Sequence, residues 1–348
     1  MNKDKLKIIY LSQNMDNYRG AHYQRDVYNE LSHQHDVYIY GPGNQGFDVE
    51  DDLNMVVKKS NFGKPDLICV GHSWLNDNVD MPLTVQSKID LIDSPYPTVM
   101  IINKEYVRLD EKLDFIKENG IKLVFSHIHT INEIAKIEGT KFIFWPFAVK
   151  HKNFYDQKLN KTFDLTFTGM LINGEHQMDD FRLRIQRKLF YTCGELRFFK
   201  KPRYRKFRIY WNGQPSTAKL KKIQKSISAY KWLNTEEYSQ LLNRSRACLN
   251  TLSTMDIISP RYFESMACKC IVLCQESEQY GNLFTDNVNC LMVRNDLSNF
   301  DEQLSKCMDN QQSQRIADNA YKYVMENHTW EIRIKEFISE CMSFYNIQ

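Results

Sequence analysis

Residues 255–274 read MDIISPRYFESMACKCIVLC, and the passage from turn to helix to apolar strand in this stretch decides the fold class. Ser259 followed by Pro260 is an N-cap residue joined to a first-turn proline, so the spacing predicts a helix opening at residue 260. Arg261 then falls in the first turn. A cation there opposes the helix dipole, which makes sense when an anion shares the site and gains from both the guanidinium and the free backbone amides. A diphosphate fits. Glu264 lies one turn further on the same face, placed to accept hydrogen bonds from two vicinal hydroxyls; the competing reading is a plain i,i+3 ion pair with Arg261.

Working outward, short β-branched or aromatic runs alternate with helical stretches along the whole chain, the pattern of βαβ units and parallel sheets. In the first half the expected strands are 7–11, 36–40, 66–70, 98–102, 122–126 and 141–145, with helices at 21–32, 110–119 and 130–138. Most of these strands are continuous apolar runs, as a sheet covered on both faces requires. Residues 146–160 break the rhythm as a Lys- and Asn-rich linker. A second series follows, with strands at 164–168, 207–211, 247–252, 271–274 and 290–293 and helices at 181–190, 235–244, 260–267, 300–308 and 313–345. The expected organisation is an N-terminal domain over 1–150, a C-terminal domain over 151–330 and a final helix, 331–348, returning to the first domain. Both domains are expected to be doubly wound, α/β and Rossmann-like, facing a central cleft.

Bulk properties set limits. The 348 residues are 42% apolar and 26% charged, with a net charge of +3, too small by itself to mark a nucleic-acid protein. No apolar run approaches the roughly 18 residues of a membrane span, and 8–11 is too short for a secretory segment. Nine scattered cysteines form no disulfide framework, which suggests reduced thiols and a cytoplasmic location. One run stands out: Lys200, Lys201, Arg203, Arg205, Lys206 and Arg208, interleaved with Tyr204 and Phe207 and followed by four lysines between 219 and 225. It reads first as a solvated face, and second as a footing for an anionic surface such as the inner face of a membrane or a nucleic acid.

The segment RYFESMACKCIVLC resembles the donor-binding helix and following strand of retaining GT-B glycosyltransferases of the group 1 type, whose pattern is an acid, seven residues, then Glu in an EAMA-like helix. Asp256 and Glu264 have that spacing, and the arginine three residues before the Glu is closest to the spore-maturation-protein type of glycosyltransferase domain. The resemblance extends to WPFAV at 145–149, DLTFTG at 164–169, the stretch 231–252 and NHTWEIRIKEF at 327–337. Asp256 stands in place of the commoner Glu, and Lys269 stands where the family usually has Gly. The resemblance implies that Glu264 binds the nucleotide ribose and Asp256 contacts the donor sugar. Ser259, Ser265 and Arg261 belong to the same donor site, Trp232 and Leu233 pack on the base, and Gly20 lets the first βα loop approach the donor. Arg184, with Arg182 or Lys188 beside it, stands in for the family's phosphate-binding pair after Gly169.

Strand C-terminal ends add His72 as a catalytic or acceptor-side group, Asn103 and Lys104 as acceptor-side groups, and Glu105 beside them. His127 and His129 are two apart with no third ligand at useful spacing, so no metal is expected. No Ser-His-Asp, P-loop or GxGxxG pattern is present. The expected activity is a hexosyltransferase-like transfer, with retention, from a nucleotide-diphosphate sugar, UDP-sugar favoured, needing no cofactor. The acceptor is a hydroxyl of a glycan, protein, lipid-linked or small molecule. Three rivals share these residues: a sugar-nucleotide epimerase, a nucleic-acid-modifying glycosyltransferase and a non-catalytic sugar-nucleotide sensor.

Overall fold

The computed structural model describes residues 5–16, 22–85, 87–170, 180–193, 196–202, 207–214, 233–281 and 283–347. Gly20, Trp232 and most of the 200–225 basic stretch lie outside them. The chain divides into two compact units. One comprises Met1–Phe147, Met255–Ile258 and Trp330–Gln348, the other Ala148–Thr254 and Ser259–Thr329.

The first unit contains β1 (Lys7–Leu11), α1 (His22–Gln34), β2 (Asp36–Tyr40), α2 (Leu53–Ser60), β3 (Leu67–Val70), β4 (Thr98–Ile101), α3 (Leu109–Glu118), β5 (Leu123–Ser126), α4 (Ile131–Ile134) and β6 (Lys141–Phe144). The strands form one parallel sheet in the order β2-β1-β3-β4-β5-β6. β3, β4 and β5 are buried at every position, which is why they read as unbroken apolar runs. α2 was not expected; Asp52 caps it by accepting from the Met55 amide at 2.8 Å. The order reverses between β1 and β3, and there the segments that follow the two strands are tied together: the Ser12 and Ser73 hydroxyls are 2.8 Å apart and Gln13 Nε2 donates to the Ser73 carbonyl at 2.7 Å.

The second unit contains β7 (Phe163–Met170), α5 (Asp180–Leu189), β8 (Phe190–Cys193), β9 (Leu196–Pro202), β10 (Ile209–Gln214), α6 (Thr235–Asn243), β11 (Ser245–Asn250), α7 (Pro260–Ala267), β12 (Ile271–Gln275), β13 (Leu291–Val293), α8 (Phe300–Met308) and α9 (Asn310–Asn327). Its parallel sheet runs β10-β7-β11-β12-β13. The reversal falls between β7 and β11, which places a ligand-binding switch point at their C-terminal ends. β8 and β9 form a separate antiparallel hairpin that carries Lys200 and Lys201 on a strand. Alternation along β7 and β11 sends Leu165, Phe167, Ala247 and Leu249 into the core with α5 and α8, and turns Thr166, Thr168, Cys248 and Asn250 to the opposite face.

The helix expected over 313–345 is two helices. α9 ends at Asn327, and a second helix, α10 (Trp330–Tyr345), belongs to the first unit. The break has a partner: the Val149 amide donates to the His328 carbonyl at 2.9 Å, and Val149 bridges to Thr329 in parallel fashion. α10 then packs on the first sheet through Phe337 against Phe125 at 4.6 Å and Trp330 against Trp145 at 5.7 Å, and Tyr345 donates to the Thr98 carbonyl at 2.6 Å.

Candidate active site

α7 begins as its sequence dictates. Ser259 has extended backbone and Pro260 occupies the first turn, yet the Ser259 side chain caps no backbone amide, so the amide end of the helix is not closed by its own N-cap. The far end is a Schellman turn: the Cys270 amide donates to the Ser265 carbonyl and the Lys269 amide to the Met266 carbonyl, each at 3.0 Å. Lys269 therefore sits at the left-handed position, φ +48°, that glycine favours, which is the physical content of the family's usual Gly there. Asp318 at 2.8 Å, Asp156 at 3.5 Å and the Tyr321 ring at 5.2 Å hold the lysine in that conformation.

Arg261 reaches across to the switch point, its Nη1 donating to the Thr168 carbonyl at 2.6 Å. Gly169, at φ +145°, leaves the room: a Cβ there would stand 2.5 Å from Arg261 Nη1. Glu264, one turn on, is buried, and Arg261 and Glu264 both act electrostatically on the Tyr238 phenol and the Cys248 thiol. Ser265 is buried and accepts from Asn250 Nδ2 at 3.4 Å. Leu233 stands just before α6, where Asn234 and Glu237 close a reciprocal capping box at 2.9 and 3.0 Å.

The structure separates the arginines of α5. Arg182 donates from Nε to Thr251 Oγ1 and from Nη2 to the Leu252 carbonyl, beyond the end of β11. Arg184 turns to the Asn295 carbonyl and Lys188 to Asp301, so it is Arg182 that reaches the switch point. Asp256 is exposed in a short 3₁₀ turn, Thr254–Asp256, where it and Met255 both hold left-handed backbone, φ +56° and +55°. Two such residues in succession store strain of the kind that gathers at functional turns.

In the first unit, the ends of β3, β4 and β5 bring together a buried polar network. His72 and His127 stack, with their Nε2 atoms 2.9 Å apart, and His127 Nδ1 lies 2.7 Å from the Trp145 carbonyl. A carbonyl only accepts, so His127 carries its proton on Nδ1, receives the His72 Nε2–H at its own Nε2, and leaves His72 Nδ1 as a buried acceptor with no partner among the described residues. Burial, reinforced by the neighbouring ring, pushes the pKa of His72 well below the imidazole range; burial holds His127 at about 3. His72 thus stands as a neutral acceptor, and the geometry makes it a weak base.

Asn103 accepts from the Tyr23 hydroxyl and donates to Asp77 Oδ2, both at 2.7 Å. Lys104, at φ +44°, lies 3.4 Å from the same carboxylate, and the buried Lys112 meets its other oxygen at 2.8 Å. Glu105 is fully buried; Ser126 Oγ and the His127 amide donate to its Oε1 at 2.7 and 2.8 Å, while burial raises its pKa. Sequence reading found the strand ends but not Asp77, Lys112 or the histidine pairing, because they are joined only through neighbouring strands. His129 is exposed and apart from His127, and among the described residues no three His, Cys, Asp or Glu side chains cluster as a metal site. Nor is any described helix long and apolar enough to cross a membrane.

The histidine pair makes a pH prediction. Between the unfolded value of about 6.5 and the lowered native values, the unfolded chain binds protons that the folded rings refuse, so stability falls as pH drops below about 6.5, by up to about 1.4 kcal/mol per unit for each ring. His127→Gln should flatten the fall between about pH 6.5 and 5, measured by urea unfolding; an unchanged slope would contradict the neutral pair.

Residues 192–339 match the model of a family described as glycosyl transferase-like. No curated protein matches in sequence. Among solved structures, a glycosyltransferase from Rickettsia africae ESF-5 is similar with a TM-score of 0.61 at 10% identity, over 99% of this chain and 100% of that one. Anabaena Alr3699/HepE, solved with UDP and glucose, is similar with a TM-score of 0.58 at 13% identity, over 96% and 100%. A DNA-modifying β-glucosyltransferase, solved with and without uridine diphosphoglucose, is similar with a TM-score of 0.57 at 14% identity, over 97% and 99%. These likenesses establish the GT-B fold. The glycosyl transferase-like match over residues 192–339, together with that fold along the chain's length, supports a transferase enzyme.

Proposed function

We propose that the protein transfers a sugar from UDP-sugar to an acceptor hydroxyl, with retention at the anomeric carbon. The observation that carries the reading is the start of α7: an uncapped amide end, Arg261 lying on the Thr168 carbonyl beside Gly169, and Glu264 buried one turn later. Diphosphate oxygens suit the amides and the guanidinium, whose combined charge stabilises the departing nucleotide, and a ribose suits the carboxylate. Alr3699/HepE and the β-glucosyltransferase, both solved with uridine nucleotides, share the fold and favour uridine as the base. The spacing of Asp256 and Glu264 supports retention, and the RYFE opening of α7 supports kinship with the spore-maturation type. No metal or other cofactor is needed if Arg261 and Arg182 carry the phosphate charge. The polar network around His72, Asn103 and Lys104 is assigned to the acceptor, a neutral hydroxyl that donates to His72 Nδ1.

A thermal-shift series with UDP, GDP, ADP and CMP, and with their sugars, tests the donor. A ligand present at 100 times its Kd stabilises by about 2.7 kcal/mol, a rise of about 4 °C for a chain of this length, and UDP is expected to give the largest rise. No shift with any of them would remove the donor assignment. Turnover without acceptor would instead identify an epimerase, and binding without turnover towards any acceptor a sensor. The basic run that begins at Lys200, together with a fold shared with a DNA-modifying enzyme, favours nucleic acid as a second acceptor reading; steeply salt-dependent DNA binding would support it.

A further inference from the structure

The layer between the second sheet and helices α6 and α7 is polar where a core is usually apolar. Thr166, Thr168, Cys248 and Asn250 face it from β7 and β11, Ser265 and Glu264 are buried on α7, and the Tyr238 phenol of α6 has Cys248, Glu264 and Arg261 as its electrostatic neighbours. Burial pushes the Cys248 thiol up to about 11, so it packs as a neutral group. Three buried polar atoms of this layer, Thr166 Oγ1, Asn250 Oδ1 and the Tyr238 hydroxyl, have no hydrogen-bond partner among the described residues. Unsatisfied buried groups number only a few per hundred residues in native proteins, so three in one layer ask for an explanation. The Tyr238 phenol is the informative one. Its ring packs edge-on against Phe154 at 6.0 Å, and the Thr168 side chain lies close enough to influence it without closing a bond of ordinary geometry. Its charged neighbours are Glu264 and Arg261, the two groups assigned to the nucleotide. The phenol stays protonated through the neutral pH range, because burial drives its pKa well above the ordinary tyrosine value.

We propose that Tyr238 is a further donor-side binding residue, its hydroxyl donating to the oxygen of a ribose hydroxyl whose own proton is accepted by Glu264. This rests on the nucleotide reading of α7 given above. A ribose hydroxyl is both donor and acceptor, so it can join an acceptor-only carboxylate to a phenol in one chain of bonds, which a deoxygenated or purely anionic ligand cannot do. Tyr238→Phe removes one oxygen and nothing else, and it separates this role from a structural one, since deleting a buried hydroxyl that has no partner should not weaken the free protein.

The experiment compares wild type and Tyr238→Phe by calorimetric titration with UDP and with inorganic pyrophosphate, alongside melting of the free proteins. The expected result is a melting temperature unchanged or raised, UDP affinity about 10-fold weaker, and pyrophosphate affinity unchanged. Equal UDP affinities in the two proteins would overturn the proposal, as would a lower melting temperature or an equal loss of pyrophosphate binding, either of which would mark the phenol as a structural support. If the wild type itself failed to bind UDP, the donor reading of α7 would fall first, an outcome distinct from a wild type that binds UDP and a variant that binds it equally well.

Discussion

Glu264→Ala is expected to weaken UDP binding by about 100-fold, or about 3 kcal/mol, the scale of two hydrogen bonds to a charged acceptor lost together. Glu264 is 3% exposed, so its contacts are made away from competing water, where each is worth more than it would be on the surface. Ala also opens a cavity in the layer beside Asn250 and Ser265, and Glu264→Gln serves as the shape-preserving control, expected to lose about 10-fold in affinity with little change in stability. Isothermal titration with UDP reads both variants, and circular dichroism confirms the fold. If Glu264→Gln bound UDP as wild type does, the carboxylate would be no ribose ligand and the i,i+3 pairing with Arg261 would become the better description.

Gly169→Ala is the second large effect, and its physics is different. The residue holds φ +145°, where a side chain is disfavoured, and the nearest atoms an added Cβ would meet are those of the Arg261 guanidinium. A guanidinium at the end of a flexible chain can move aside, so the domain should still fold, at a cost of about 1–3 kcal/mol in stability from backbone strain. What the movement sacrifices is the Arg261 bond to Thr168 and with it the pre-set position of the charge. UDP affinity should fall at least about 10-fold while a folded melting transition persists. The double variant Gly169→Ala, Arg261→Lys should be no weaker than Gly169→Ala alone, because the displaced guanidinium has already lost its seat on Thr168 and lysine keeps the charge. Urea unfolding and UDP titration on the same samples decide the matter; wild-type affinity in the single variant would show that the seat of Arg261 on Thr168 is incidental.

Much of the site's framework was legible because its signals are local. Ser259-Pro260 fixes a helix start through a cap conformation and a locked φ, and the Asn234–Glu237 box closes over four residues. Lys269 was visible as a departure from the family's glycine, but its left-handed backbone and its ties to Asp156 and Asp318 were not, since those partners lie 113 and 49 positions away in the chain. The single helix expected over 313–345 failed for a similar reason: nothing in 327–330 breaks a helix by propensity, and the interruption is held by Val149.

The sequence by itself determined two doubly wound parallel sheets, the helix at 260 and the spacing of its arginine and carboxylate, because apolar runs, caps and turn residues act over a few positions and need no distant partner. Only the tertiary structure decided that Arg182 rather than Arg184 reaches the end of β11, that Arg261 lies on Thr168, that His72 is locked to His127, and that Tyr238 shares a layer with Glu264. Those pairings join residues tens of positions apart, and they depend on strand order and register, which the chain settles when it closes its sheets.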